Sequence, residues 1–387
     1  MYDFDTPVDR RGTCSLKWDI REGELPMWVA DMDFQTAPCV IRALKKRGEH
    51  GVFGYNVIPD EWYFAYADRW QRAHGVTFHK EEMIFCTGVV PAVSSIVKRV
   101  TSLGDNVVVI TPVYDIFYHS IENAGRHTLE CPLTYEGGQY ELDFALLEEK
   151  LSHPLSTLLI FCNPHNPVGK LWTKEEIERI GSLCKKYGVT VLSDEIHCDI
   201  VKKGKAYVPF ASVSEDCRAN SITCLSISKA FNLAGMQSAC VVVPDQNLRN
   251  KVNRCLNADE IAEPNSFAVV SAVSALTEGE DWLNELNDYL FENRALCEEY
   301  LQRELPQLHL VQGEATYLLW LDCSKITSDS RGLRDFIRKE TGLWLSDGAE
   351  YRGNGRFFLR MNIACPRERL REGLERLQRG VKAYPNG

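Results

Sequence analysis

The sequence lacks the features that mark membrane proteins and nucleic-acid-binding proteins. Its apolar runs, such as residues 107–110 and 239–243, are short, whereas a membrane-spanning helix needs about 20 apolar residues. The 44 lysines and arginines are outnumbered by 54 aspartates and glutamates, which gives a net charge of −10 without a strong basic patch. We therefore expect neither a membrane nor a nucleic acid as a partner.

The chain also lacks the signs of a disulfide framework or of secretion. Its 14 cysteines are scattered without a CxxC motif, and most, such as Cys162, Cys224 and Cys240, lie in apolar stretches. Such cysteines are typical of a reduced protein core. Residues 1–12 are polar and contain no apolar signal-peptide core. These features predict a cytoplasmic protein.

Several motifs that would identify an enzyme class directly are missing. The sequence contains no GxGxxG or GxxxxGK[ST] loop, no HExxH pair and no GxSxG elbow. Their absence argues against a dinucleotide fingerprint, a P-loop, a zinc protease motif and a hydrolase nucleophile elbow. The nine histidines are dispersed, so we predict no metal site.

What the sequence does contain is the pattern of an α/β protein. Its 387 residues are 44% hydrophobic and 25% charged, the ordinary composition of a globular chain with two or three domains. Short β-branched runs alternate with longer helical patterns, which favours a mostly parallel central sheet flanked by helices. The predicted strands are 106–111, 157–162, 189–193, 222–226 and 238–243, the predicted helices are 115–125, 173–187 and 248–257, and residues 202–216 are predicted as a loop.

The C-terminal part follows a different pattern. A long polar helix is predicted over residues 281–304, followed by strands at 308–312 and 316–322 and helices at 331–341 and 366–382. We interpret this part as a smaller α+β domain that the N-terminal residues complete. The predicted division is a large domain of residues 46–285 and a small domain of residues 1–45 and 286–387.

Chemically useful side chains follow three of the predicted parallel strands, where ligands bind in open α/β sheets. The turn-rich NPHNPVG occupies residues 163–169, Asp194 follows the next strand, and Lys229 lies in SISKAFNLAG after the third. Each has an ordinary structural alternative: a rigid loop, a helix N-cap and a solvated surface lysine. A lysine in such a cleft, however, can have a depressed pKa and form a Schiff base.

Two further features lie elsewhere in the chain. Gly88 precedes a helix that Pro91 can start, and free backbone N–H groups at such a point suit a phosphate. Arg360 lies inside an apolar strand-like run, where it would be buried and would need a carboxylate or a ligand. A lysine, an aspartate, an asparagine, phosphate donors and an arginine for a substrate carboxylate together match the needs of pyridoxal 5′-phosphate chemistry.

The motifs NPHNPVG, SDEIH, SISKAFNLAG and RMNIACPR resemble, in order and spacing, those of the fold-type I pyridoxal-phosphate enzymes of the class I and II aminotransferase superfamily. The segments DFDTPVDRRGTCSLKWD, LPMWVADMDF and SDEIHCDIV are similar to the MalY/PatB group of cystathionine β-lyases, or C–S lyases. The resemblance covers essentially the whole chain. It implies the fold-type I transferase fold with a smaller α+β domain, a pyridoxal 5′-phosphate cofactor, an amino acid substrate and a homodimer with shared active sites.

The resemblance also implies roles for individual residues. Lys229 would be the Schiff-base and catalytic lysine, Asp194 would hold the pyridinium N–H, and Arg360 would bind the substrate carboxylate. The other implied cofactor contacts are Asn166 at the ring hydroxyl, with Asn163 a weaker candidate, Tyr114 stacked on the ring, His197, the backbone N–H groups of Val89 and Val90, the hydroxyls of Ser226 and Ser228, and Tyr55 reaching the phosphate from a neighbouring subunit. For Tyr114 the alternative is a place in the core.

Three positions depart from the superfamily pattern. His197 stands where many aminotransferases have tyrosine, which fits the lyase group. Gln237 stands where many have a phosphate-binding arginine, so other groups would have to hold the phosphate. Asp115 stands where an aromatic residue or proline is expected, which changes the substrate side near Tyr114.

The implied reaction is α,β-elimination. Lys229 would remove the α-proton of L-cystathionine or a related S-substituted cysteine, and departure of the thiolate would yield pyruvate, ammonia and a thiol. An aminotransferase shares the early steps and is the alternative enzyme, although His197 and WVADMDF favour the lyase. A regulatory protein that binds a transcription factor is a third hypothesis, against which the intact set of Lys229, Asp194 and Asn166 argues.

Overall fold

The computed structural model describes residues 2–385. Its strands are β1 (Leu25–Pro26), β2 (Met83–Cys86), β3 (Asn106–Thr111), β4 (His127–Pro132), β5 (Thr134–Glu136), β6 (Gln139–Glu141), β7 (Ser156–Cys162), β8 (Thr190–Asp194), β9 (Ser221–Leu225), β10 (Ala239–Val242), β11 (His309–Leu310), β12 (Leu318–Asp322), β13 (Leu343–Trp344), β14 (Ser346–Asp347) and β15 (Phe358–Asn362). Its α-helices are α1 (Pro38–Glu49), α2 (Asp60–His74), α3 (Val89–Val100), α4 (Ile116–Glu122), α5 (Phe144–Leu151), α6 (Lys174–Tyr187), α7 (Glu215–Ala219), α8 (Gln246–Ala258), α9 (Ala268–Glu278), α10 (Glu280–Glu304), α11 (Ser330–Thr341) and α12 (Arg367–Ala383).

A seven-stranded sheet forms the centre of the molecule, with the strand order β2-β10-β9-β8-β7-β3-β4. Strand β10 runs antiparallel to both of its neighbours, and the remaining neighbouring pairs are parallel. Apolar side chains pack on both faces: Val93, Phe117 and Val252 lie in one core cluster, and Leu147 and Ile177 lie in another. The predicted mostly parallel sheet flanked by helices is thereby confirmed.

Local sequence signals set the ends of α6. The Thr173 hydroxyl accepts a hydrogen bond from the Glu176 N–H, and the Glu176 side chain accepts one from the Thr173 N–H, so a capping box closes the first turn. Gly188 ends the helix in a left-handed conformation with φ of 67°. These bounds agree with the helix predicted for residues 173–187.

Two predicted details were wrong. The predicted loop 202–216 contains a 3₁₀ turn at Phe210–Ser212 and the beginning of α7, which forms because the Ser214 hydroxyl accepts a hydrogen bond from the Cys217 N–H. Helix α3 begins at Val89, two residues before Pro91. Its first N–H groups have no helical partner in any case, so Pro91 costs the helix nothing in the first turn.

The C-terminal part builds a second, four-stranded sheet in the order β11-β12-β15-β14, with antiparallel pairing throughout. The short N-terminal strand β1 joins this part of the chain, because Leu25 pairs in parallel with Leu343 of β13. The predicted smaller α+β unit is thus present. The predicted limits, 46–285 against 1–45 and 286–387, place one boundary inside α10 and stay a prediction.

The described part of the chain contains only free cysteines, and all of them except Cys14 are buried. This agrees with the interpretation of the cysteines as core residues. None of the described helices combines the length and the apolar character that crossing a membrane requires.

Candidate active site

A cavity of about 280 Å³ lies at the carboxyl ends of β7, β8 and β9. The structure brings nine of the predicted site residues to its wall: Val89, Val90, Tyr114, Asn166, Asp194, His197, Ser226, Ser228 and Lys229. They meet because the parallel strands end in register, with Asp194 opposite both Cys162 of β7 and Cys224 of β9. The chain segments that follow these strands therefore emerge at one edge of the sheet.

Among the described residues, Lys229 is the only lysine or arginine on the cavity wall. Its Nζ donates a hydrogen bond to the Ala30 main-chain carbonyl at 2.7 Å, and within residues 2–385 it forms no salt bridge. Burial lowers the pKa of Lys229 to about 8, and the positive charge of Arg360 acts in the same direction. The surface-lysine alternative is therefore wrong, and a sizeable fraction of this amine is uncharged near pH 8.

Asp194 ends β8 as a buried carboxylate that forms no salt bridge with any residue of the described chain. Its Oδ1 accepts a hydrogen bond from the Ile196 N–H at 3.1 Å. Burial raises the pKa of Asp194 to about 6, while the Ile196 N–H and the Lys229 charge act in the opposite direction. A cationic N–H donor in the cavity would relieve this desolvation, because an opposite charge favours the ionised carboxylate.

The start of α3 offers donors for an anion. The N–H groups of Val89 and Val90 have no intrahelical partner, because they belong to the first turn. Gly88 precedes them without a side chain, and a Cβ there would lie 3.2 Å from Pro91 Cδ. A helix N-terminus of this kind suits a phosphate.

Serine hydroxyls also line the cavity. Ser226 Oγ lies 2.9 Å from Ser228 Oγ and donates to the Ser238 carbonyl at 2.7 Å. With the Ser226 proton on the main chain, the Ser228 hydroxyl donates to Ser226 Oγ and can rotate from it toward a ligand. Gln237 lines the cavity as well and offers an amide in place of the arginine of many aminotransferases.

His197 and Asn166 lie on the side of the cavity nearest Arg360. His197 is buried, and its Nδ1 has no hydrogen-bond partner among the described residues. Burial lowers the pKa of His197 to about 3, with the charges of Lys229 and Arg360 adding to the effect, so the ring is neutral. The Asn166 amide oxygen accepts a hydrogen bond from Arg360 Nη1 at 3.2 Å.

The two asparagines of NPHNP face different surroundings. Asn166 lines the cavity, whereas Asn163 is absent from its wall and donates its amide N–H to the Val208 carbonyl at 2.9 Å. This arrangement supports the preference for Asn166. Tyr114 lines the cavity as well, and burial raises the pKa of its hydroxyl to about 12, so the phenol stays protonated.

Arg360 lies on β15 next to the cavity rather than on its wall. Its guanidinium donates to the Trp28 carbonyl at 2.9 Å and to Ser346 Oγ at 3.4 Å, and it stacks on the Tyr351 ring with 5.1 Å to the centroid. No carboxylate forms a salt bridge with it within the described part of the chain, and its Nε has no partner there. The buried guanidinium is thus available for an external carboxylate.

Tyr55 and Asp115 lie away from the cavity wall. The Tyr55 side chain is fully exposed, on a surface groove that Phe53 and Phe267 also line. It contributes nothing to the cavity of its own chain. Asp115 directly precedes α4 and is half-buried without lining the cavity.

Several cavity residues escaped the sequence analysis: Ala30, Thr87, Cys162, Ile196, Ala234 and Ser238. Cys162 has the sequence context of a core cysteine. Thr87 and Ser238 are direct neighbours of Gly88 and Gln237, and that adjacency is the signal that could have found them. Ala30 lies in WVADMDF, a segment that resembles the lyase group, but its side chain has no functional group that would mark it as a site residue.

One cluster of potential metal ligands lies outside the cavity. His74, Cys198 and Asp199 each place a ligand atom within 4.8 Å of the others. Asp199, however, is paired with the Arg69 guanidinium at 2.7 Å, which satisfies the carboxylate and opposes a cation. The sequence-based expectation of no metal site stays a prediction.

The donor set of the cavity fits pyridoxal 5′-phosphate. A Schiff-base lysine needs an accessible amine, and a pyridinium ring needs a buried carboxylate; Lys229 and Asp194 supply them. Two buried polar atoms, His197 Nδ1 and Ser238 Oγ, have no partner among residues 2–385 and belong to residues of the cavity wall. Phosphate donors are present at the start of α3.

Comparison with known proteins agrees with this geometry. The model of the aminotransferase class I and II family matches residues 25–377. The chain belongs to this family. The expected superfamily is thereby confirmed, together with its fold.

Individual relatives narrow the likeness further. The chain is 41% identical to cystathionine beta-lyase PatB of Bacillus subtilis, over 97% of this chain and 99% of that protein. It is 32% identical to protein MalY of Escherichia coli, over 99% and 100% of the two chains. The crystal structure of cystalysin from Treponema denticola, which contains pyridoxal 5′-phosphate, superimposes with a TM-score of 0.96 at 30% identity and covers 99% of both chains. The resemblance to the MalY/PatB group is confirmed.

Proposed function

We propose that this protein is a pyridoxal 5′-phosphate-dependent carbon–sulfur β-lyase. It cleaves L-cystathionine or a related S-substituted cysteine to pyruvate, ammonia and a thiol. The observation that carries this proposal is the full-length similarity to a cystathionine beta-lyase in a chain whose Lys229 and Asp194 face one cavity.

The cofactor supplies an electron sink for the negative charge that develops at the substrate α-carbon. The chain's own residues hold it and orient the substrate. Asp194 would pair with the ring nitrogen and keep its proton in place, Asn166 would donate to the ring hydroxyl, and Tyr114 would cover the ring. The N–H groups of Val89 and Val90, with the Ser228 hydroxyl, would hold the phosphate.

Arg360 and Lys229 act on the substrate. Arg360 binds the α-carboxylate through its guanidinium, and its fixed position on β15 sets the orientation of the α-carbon. Lys229, whose pKa burial lowers to about 8, accepts the α-proton. The same amine, once protonated, would return a proton to the departing thiolate.

The deciding experiment measures pyruvate release from L-cystathionine by the purified, cofactor-loaded protein without any 2-oxo acid. We expect steady pyruvate formation over many turnovers, with one thiol for each pyruvate. Turnover that requires a 2-oxo acid and converts it to an amino acid would contradict the lyase and establish the aminotransferase instead.

We also propose a homodimer in which Tyr55 completes the site of the neighbouring subunit. In support, the side chains of Val52, Phe53, Tyr55 and Val57 are all exposed in the single chain, and they form an apolar surface that a second copy would cover. Tyr55 cannot serve the cavity of its own chain, which it does not line.

Subunit mixing tests this arrangement. Lys229→Ala and Tyr55→Ala chains each lose activity on their own. A mixed dimer pairs one intact Lys229 with the intact Tyr55 of the other chain, so statistical mixing should restore about a quarter of the wild-type activity. No recovery in mixed dimers of demonstrated composition would contradict the shared site.

The cytoplasm is the proposed location. Free buried cysteines throughout the described chain support it, because a reducing compartment keeps such thiols intact. Location by fractionation of the producing cell would test this, and recovery of the protein outside the cytoplasm would contradict it.

A further inference from the structure

Residues 28–32 form an irregular segment whose main-chain carbonyls accept hydrogen bonds from side chains of other parts of the chain. We call this segment the strap. Every one of its five carbonyls accepts at least one side-chain hydrogen bond: Trp28 from Arg360 and Ser346, Val29 from Asn362, Ala30 from Lys229 and Tyr317, Asp31 from Asn362 and Lys17, and Met32 from Arg10 and Asn232.

Several of these donors come from two distant parts of the chain. Arg360 and Asn362 lie on β15, and Lys229 and Asn232 lie on the segment after β9. The Asn362 amide bonds to the Val29 and Asp31 carbonyls at 2.5 and 2.6 Å, one residue to each side of Ala30. The Ala30 carbonyl is therefore an acceptor with a fixed position relative to both Arg360 and Lys229.

The Ala30 carbonyl serves two donors at once. Lys229 Nζ lies 2.7 Å from its oxygen, and the Tyr317 hydroxyl lies 3.1 Å from the same oxygen. Tyr317 is fully buried just before β12, and its ring contacts the His197 ring at 6.3 Å between centroids. An oxygen shared by two donors accepts less strongly from each of them than it would from one alone.

We propose that Tyr317 is a positioning residue for Lys229, which holds the shared Ala30 carbonyl in place and limits how strongly that carbonyl stabilises the protonated amine. The inference rests on the proposed role of Lys229 as the base in the lyase reaction. The Ala30 carbonyl sets the position of the Lys229 amine when that amine is not covalently bound. Because the Tyr317 hydroxyl donates to the same oxygen, the carbonyl stabilises the protonated amine less. A larger fraction of Lys229 is then neutral and able to accept a proton.

Other charged groups face Lys229 from three directions. Burial is the largest cause that lowers the pKa of Lys229, and the charge of Arg360 on β15 lowers it further. The charges of Asp31 on the strap and Asp194 at the end of β8 raise this pKa. His197, on the segment after β8, is neutral. Removal of the Tyr317 hydroxyl leaves all of these charges in place, so a change in the Lys229 pKa reports on the shared carbonyl.

The first test is Tyr317→Phe, with Tyr300→Phe as the matched control. Tyr300 donates its hydroxyl to Gln378 at 3.0 Å, away from the cavity. The pKa of Lys229 is measured in the full-length, cofactor-free protein by acetylation at a series of pH values and peptide mass spectrometry. We expect Tyr317→Phe to raise this pKa by about half a unit or more, and Tyr300→Phe to leave it unchanged.

Kinetics of the cofactor-loaded protein supply the second readout. The acidic limb of the kcat profile should move to higher pH in Tyr317→Phe, because that limb reports groups in the substrate complex. KM for L-cystathionine should stay within about twofold, since Tyr317 does not touch the carboxylate site at Arg360. A purely structural loss would instead lower activity at all pH values alike.

A second variant covers the case in which Tyr317→Phe does not fold. Site-specific 3-fluorotyrosine at position 317 keeps the shape and makes the hydroxyl a stronger donor, so the pKa of Lys229 should fall. An unchanged Lys229 pKa in a folded protein with either replacement would overturn the inference. The acetylation measurement needs no turnover, so a failure of the proposed lyase activity shows separately, as absence of pyruvate from the wild-type protein.

Discussion

Two buried aspartates, Asp33 and Asp194, show opposite electrostatics in the same chain. Asp33 accepts salt bridges from Arg10, Lys17 and Arg369 at 2.9 to 3.1 Å. Burial raises its pKa, but the charges of Lys17 and Arg369, together with hydrogen bonds from Trp18 and Lys17, outweigh burial and the net shift is downward. Asp194 has no such partners, and burial raises its pKa to about 6.

The difference separates a structural charge from a functional one. In the Asp33 cluster (Arg10, Lys17, Asp33 and Arg369) three cations compensate the Asp33 carboxylate and connect the N-terminal residues to Arg369 of α12. Within residues 2–385 neither Asp194 nor Lys229 forms a salt bridge, and burial shifts the pKa of each toward its uncharged form. Unpaired buried charges that face one cavity indicate a site that awaits a charged ligand.

The substitution Lys229→Met should have the largest effect on activity. Loss of the amine removes both the Schiff-base nitrogen and the proposed base, so pyruvate production should fall by at least about 10³-fold. Lys186→Met, which changes an exposed lysine paired with Glu148, is the control and should retain full activity. Residual turnover above about 1% of wild type would contradict the role of Lys229.

Asp194→Asn should have the next largest effect on activity. The substitution keeps the shape and removes the charge that faces the ring nitrogen, so kcat should fall by about 10²-fold. The N-cap variant Asp143→Asn, on the exposed start of α5, is the matched control. Near-normal kcat in Asp194→Asn with the cofactor bound would exclude an electrostatic role.

Lys17→Met tests the paired cluster through stability. It removes one of the three cations around the buried Asp33 carboxylate, together with its charge-assisted hydrogen bond, so the free energy of unfolding should fall by about 2 kcal/mol. Lys229→Met in the cofactor-free protein should cause no such loss, because it replaces an unpaired buried cation with an apolar side chain. Denaturant unfolding measures both. Equal destabilisation by the two substitutions would contradict the distinction between the paired Lys17 and Lys229, which forms no salt bridge within the described part of the chain.

The pH dependence of stability gives a further contrast. The pKa of Lys229 in the fold, about 8, lies below the ordinary value of 10.5, so the unfolded chain binds more protons between these pH values. The cofactor-free protein should therefore gain stability from pH 8 to pH 10.5, by up to about 3 kcal/mol relative to Lys229→Met. Asp33, with its lowered pKa, contributes stability that is lost as the pH falls below its ordinary value. A flat difference between wild type and Lys229→Met would contradict the first expectation.

The smallest expected effect lies outside both regions. Thr173→Ala removes the hydroxyl that caps α6 and should lower the free energy of unfolding by about 1 kcal/mol. Activity should stay at the wild-type level, because the helix N-terminus is remote from the charges compared above. Thermal unfolding together with a pyruvate assay would detect any departure from this pattern.

Long apolar runs were predicted well from the sequence, and short or mixed strands were not. Strand β3 has the predicted limits, 106–111, because five of its six residues are fully buried and β-branched residues dominate it. The edge strand β4 was missed, since three of its six residues are half-buried, two are exposed, and its sequence lacks the apolar run of a central strand. The edge strand β2 is buried but only four residues long, and it was missed as well. Helices α1, α2 and α9 were likewise absent from the prediction.

The parts of the candidate site that consist of reactive side chains were predicted, and the main-chain part was not. Lys229, Asp194 and Asn166 follow parallel strands, and the register of the sheet brings them together. The Ala30 carbonyl was beyond prediction, because every residue has a carbonyl and its type leaves no mark in the sequence. Tyr317 was predicted only as a strand residue, and its hydroxyl gained a role through a contact with a residue far away in the chain.

The periodicities, the helix caps and the reactive side chains at the ends of the strands can be read from the sequence, because they depend on residues close together in the chain. Which buried charges form salt bridges depends on the folded structure. Asp33 and Asp194 are the same residue type in buried surroundings, yet within residues 2–385 only Asp33 of the two forms salt bridges. That outcome depends on distances through space, which chain folding sets and local sequence does not contain.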